Sequence, residues 1–82
     1  MATVAQTVKR VMLETGERYI WFGATGLLDK CSECLGYSKL HPMARTQKIL
    51  NALEYSSDFQ KRYMRFDVNG RIRRVRCFYL QY

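Results

Sequence analysis

Cys31, Cys34, His41 and Cys77 are the side chains of this sequence best suited to hold a metal ion. Cys31 and Cys34 stand in the C-x-x-C spacing that supplies half of many zinc sites. The other half lacks its spacing, because His41 and Cys77 are far apart in the chain. Cys31 also falls on an apolar helical stripe, where a free thiol behaves as a small hydrophobe. Neither a metal nor any other cofactor is therefore expected. A redox dithiol is disfavoured as well, since the pair lacks the strand-to-helix setting such motifs use. Three cysteines, an odd number, argue against a disulfide framework. With a single histidine and no suggestive pair of carboxylates, the chain is not expected to be an enzyme. Gly23-Ala24-Thr25-Gly26 is too short for a phosphate loop and lacks its lysine.

The positive chemical signal is arginine. Net charge is +7, and residues 60–82 carry Lys61, Arg62, Arg65, Arg71, Arg73, Arg74 and Arg76 against Asp67 alone. Residues 1–59 are close to balanced, so nearly all of the excess sits in the last quarter of the chain. Arginine binds phosphate through a planar fork and stacks on aromatic rings. Such asymmetry points to a polyanionic partner rather than to a merely solvated surface.

A second cationic surface follows from helical spacing. Met43, Thr46, Ile49, Leu50 and Leu53 recur on one face of a helix that His41-Pro42 begins. At about 100° per residue, Ala44, Arg45, Lys48, Asn51 and Ala52 then face outward, with Gln47 at the border. That face carries no acid. Its small residues permit close approach, and its Arg, Lys, Asn and Gln can reach phosphates or base edges. Ser38, Lys39 and His41, in the turn and at the helix start, join it as candidate contacts.

These residues need elements to position them. Thr3-x-x-Gln6 reads as a capping box opening a helix that Gly16 closes, with Val4, Val8, Val11 and Met12 inward. Arg18 to Phe22 is rich in aromatic and β-branched residues and reads as a strand. Thr25 can cap a second helix, with Leu28, Cys31 and Leu35 on one face, which Gly36 ends. Gly36-Tyr37-Ser38 separates it from the helix at Pro42, a helix-turn-helix pattern centred on Leu27 to Leu53. Asn69-Gly70 between alternating runs predicts a β-hairpin with a type I′ turn. A two-residue loop sets Arg65 opposite Arg74 and Phe66 opposite Arg73. It also places Met64, Phe66, Val75, Cys77 and Tyr79 on one face, predicted to be the core side.

This order of helix, strand, helix-turn-helix and basic hairpin, from about Thr3 to Tyr79, resembles the winged helix-turn-helix family of DNA-binding domains. The resemblance implies an α+β fold in one domain, 1–82, with three helices, a small antiparallel sheet and a C-terminal β-hairpin wing. It implies sequence-specific binding to double-stranded DNA, with the helix from Pro42 in the major groove. The wing, carrying Arg65, Asn69, Arg71, Arg73 and Arg74, would lie along or in the minor groove. A small transcriptional regulator, or an architectural or recombination accessory factor of phage or plasmid type, is the implied role. Homodimers or cooperative arrays are implied too, with Phe78-Tyr79-Leu80-Gln81-Tyr82 as an apolar surface that either pairs subunits or finishes the sheet. No small-molecule ligand is expected. No apolar run is long enough to span a bilayer and no signal peptide is evident, so a cytoplasmic, nucleoid-associated protein is expected. Two other classes fit the charge. One is a protein-interaction module of the phage-inhibitor kind, whose hairpin docks an acidic partner. The other binds RNA through the hairpin, with Tyr63 or Trp21 stacking on bases.

Overall fold

The computed structural model describes residues 3–81. Three helices, α1 (Val4–Thr15), α2 (Thr25–Leu35) and α3 (Pro42–Leu53), combine with strands β1 (Tyr19–Ile20), β2 (Phe59–Val68) and β3 (Arg71–Leu80). The fold is a small α+β arrangement in which α1 and β1 precede the helix pair and the long hairpin comes last.

Local rules account for most boundaries. Thr3 accepts from the Gln6 amide while the Gln6 side chain accepts from the Thr3 amide, a complete capping box. α1 and α2 both end on a left-handed glycine, Gly16 and Gly36, a conformation other residues enter only at a steric cost. Pro42 occupies the first turn of α3, and the His41 imidazole Nδ1 accepts from the Met43 amide at 3.2 Å. α2 departs from expectation. Ala24, not Thr25, is its N-cap residue, and no side chain caps it. The strand predicted for Arg18 to Phe22 is also shorter, because the Trp21 carbonyl accepts from the Ala24 amide at 3.0 Å and turns the chain away.

The sheet order is β1-β3-β2, antiparallel throughout. The hairpin register is the one the Asn69-Gly70 loop predicts, with Phe59 opposite Leu80 at the root and Val68 opposite Arg71 at the tip. Both turn residues have positive φ, 54° at Asn69 and 81° at Gly70, as a type I′ turn requires. Ten residues per strand, at about 3.3 Å each, make the hairpin roughly 33 Å long. That is most of the molecule's 39 Å longest dimension.

The sheet face corrects a prediction. The helices pack on the face bearing Ile20, Phe59, Phe78 and Leu80, which join Val8, Met12, Cys31, Ile49 and Leu53 in one core. Met64, Phe66, Val75, Cys77 and Tyr79, predicted to be the core side, lie on the opposite face. The reason lies at the root of β3, where residues on both faces are apolar and alternation stops discriminating. The far face has a cover of its own. Trp21 stacks on Phe66 with centroids 4.0 Å apart and planes within 8°. Tyr19 sits 5.6 Å from Tyr79 and 6.3 Å from Phe66. Cys77 and Val75 are buried on this same side. Among the described residues no helix is long and apolar enough to cross a membrane.

Candidate nucleic-acid interface

The hairpin divides into an anchored root and a free tip. At the root, Arg76 donates to Glu54 Oε1 at 2.6 Å and Lys61 lies 3.5 Å from the same oxygen, fixing both strands to the end of α3. The hydrogen bond from Arg76 holds the Glu54 carboxyl below the ordinary glutamate value. Partial desolvation opposes that shift, and the charges of Lys61 and Arg76 reinforce it. Toward the tip, Arg65, Arg71, Arg73 and Arg74 are exposed, and none forms an ion pair among the described residues. Arg65 stands directly opposite Arg74, a like-charge pair that weakens a ladder by itself. The Arg74 guanidinium lies 5.1 Å from the centre of the Tyr63 ring, an approach that orients it without neutralising it.

α3 presents less than its helical spacing suggests. Arg45, predicted to face outward, is bound instead. Its guanidinium meets Asp29 of α2 at 2.9 Å and the Ser38 carbonyl at 3.3 Å, and only 20% of the side chain is exposed. Asn51 is exposed on the outward face as predicted, but its Oδ1 accepts from Arg76 at 3.4 Å. Ala44, Gln47 and Lys48 are exposed as predicted, with the Lys48 ammonium 5.7 Å from the Tyr37 ring centre. Ser38, Lys39 and His41 are exposed at the helix start. There the Ser38 carbonyl and the His41 ring help hold the turn. Met43, predicted to face inward, is 76% exposed.

What Met43 lines is a groove of about 460 Å³ between α3 and β3, shared with Phe22, Thr46, Gln47, Leu50 and Val75. No spacing pattern in the sequence announces it, because its walls come from three segments. The same limit hid the Arg45–Asp29 pair, which joins two helices.

The cysteines are dispersed. Cys31 is buried in the helix core, Cys77 is buried on the far face of the sheet, and Cys34 is exposed. Among the described residues no three His, Cys, Asp or Glu side chains gather closely enough for a metal. Burial, with the neighbouring Cys34 as a lesser cause, pushes the Cys31 thiol up to about 11. Burial alone pushes Cys77 up to about 11. Comparison with known proteins finds no matching family model, curated protein or solved structure.

Proposed function

We propose that this chain is a winged helix-turn-helix protein that binds double-stranded DNA, with the hairpin as its main point of attachment. The observation that carries the reading is the tip itself: four exposed arginines without ion-pair partners among the described residues, held on a projecting two-stranded arm. A phosphate between Arg65 and Arg74 would relieve their mutual repulsion. The element order, and the addition of β1 to the hairpin through β3, support the family reading. Gln47 and Lys48, with Ala44 allowing close approach, are the side chains of α3 left free to meet the duplex. Arg45 and Asn51 serve the fold first. Arginine-rich arms favour a narrow minor groove, so the hairpin rather than α3 is proposed to read sequence features.

The test is binding to a duplex oligonucleotide over a salt series. Replacing Arg65, Arg71, Arg73 or Arg74 with Ala should weaken binding. The slope of log K against log salt should fall by roughly 0.9 for each phosphate that a variant no longer neutralises. Unchanged slopes in all four variants, or tighter binding to single-stranded RNA than to the duplex, would overturn the proposal.

A further inference from the structure

Beyond β1, one edge of β3 is open. Tyr19 and Ile20 pair with Tyr79 and Phe78. Residues 71–77 have β2 on one side and, among the described residues, no strand on the other. The Leu80 amide donates toward β1, to the Arg18 carbonyl, whereas the Gln81 amide donates the other way, to Asp58. Successive residues of an antiparallel strand direct their backbone groups to alternate sides, and the β2–β3 register runs unbroken to the tip. The N–H and C=O groups of Ile72, Arg74 and Arg76 therefore point off the open edge. No other backbone group of the described residues meets them there. Immediately beside this edge lies the groove walled by Phe22, Met43, Leu50 and Val75.

We propose that the open edge and the groove together bind an extended acidic peptide segment, which prolongs the line of β1 along β3. Pairing on a strand edge supplies main-chain hydrogen bonds, and alternate side chains supply selectivity. Cross-strand neighbours share a sheet face, so the edge dictates the pattern of its partner. Positions opposite Arg71, Arg73 and Arg74 favour Asp or Glu, because those arginines are exposed and have no ion pair among the described residues. Positions opposite Ile72, which is 68% exposed, and Val75 favour apolar side chains. Arg76 is already committed to Glu54. A residue opposite it points to the helix side, as Phe78 does, and an apolar chain there enters the groove. Read antiparallel to β3, the partner runs apolar, apolar, acidic, acidic, apolar, acidic. A second copy of this chain does not fit, since edge-to-edge pairing would set arginines against arginines. The edge amides are not used by the proposed DNA contact, but Arg71, Arg73 and Arg74 serve both, so peptide and duplex compete for the arm and the peptide is tested without nucleic acid.

The probe is the blocked peptide acetyl-Leu-Val-Glu-Glu-Ile-Glu-amide, titrated into isotope-labelled protein without nucleic acid. Amide exchange at Ile72, Arg74 and Arg76 should slow by about tenfold or more at saturation. Binding should weaken about tenfold, equivalent to about 1.4 kcal/mol, when the peptide amides facing the edge are N-methylated. Met43→Glu, at an exposed position that leaves the core intact, should weaken it similarly. Equal binding of the N-methylated peptide, unchanged exchange at the three amides, or no saturation by about 1 mM (a weak limit) overturns the proposal. So does a duplex DNA that slows the same three amides, which would assign the edge to nucleic acid.

Discussion

Glu54 accepts from Arg76 and neighbours Lys61, so folding favours its ionised form. A carboxyl with a lower folded than unfolded pKa adds stability above the unfolded value, and that stability is lost as pH falls through the folded one. Urea midpoints should therefore drop as pH descends from the ordinary glutamate value of 4.5. Glu54→Gln should flatten that part of the profile, and parallel profiles would separate Glu54 from acid sensitivity. The thiols respond at the other end. Cys31 and Cys77 are raised to about 11 from 9.0, so the stability linked to each is complete below 9.0 and is lost as pH rises toward about 11. At pH 8 iodoacetamide should label Cys34 alone in the native protein, and all three cysteines in urea. Native labelling of Cys31 or Cys77, read by mass spectrometry, would contradict their burial. At this scale the sequence was legible where a residue acts on its own chain neighbours, as Thr3, Gln6 and Pro42 do. It was not legible for Arg45, because the angle of a side chain on a helix does not say which charge an adjoining helix brings to it.

The aromatic cover on the far face depends on one glycine. A β-carbon at Gly23 would fall about 2.6 Å from the Trp21 indole carbons Cζ2 and Cζ3, closer than any two unbonded carbons pack, so one of the two must move. Gly23→Val should displace the ring from Phe66 and cost about 1–3 kcal/mol, the range for overpacking, in urea unfolding. Gly26, in the first turn of α2, has nothing within 4 Å of the same hypothetical atom. Gly26→Ala should instead stabilise the protein by about 0.5–1 kcal/mol. Equal effects of the two changes would remove the special role of Gly23. The elements themselves were readable because caps, the proline start and Asn69-Gly70 obey local rules. The length of β1 was not, since Tyr19-Ile20-Trp21-Phe22 has strand composition throughout, and only the turn from Trp21 to Ala24 cuts it short.

Charge and shape divide the whole molecule in the same way. The helical body holds Asp29, Asp58 and Glu54 in ion pairs, whereas the outer half of the hairpin is a nearly unopposed cationic arm. That division was visible in the sequence because charge counts need no fold. Which sheet face meets the helices was not, because Val75, Cys77 and Tyr79 compete with Phe78 and Leu80 for burial along one strand. Because the cysteines are dispersed among the described residues, folding is expected to need no metal. A chelator should leave the thermal midpoint of the purified protein unchanged, whereas structural zinc would make it fall sharply. Trp21, the chain's single tryptophan, lies against Phe66, part-way along the arm, and edge-on to Phe22, which lines the groove. Its intrinsic emission is thus an optical gauge built into the joint between body and arm: one wavelength reports whether the arm is seated, without any attached dye.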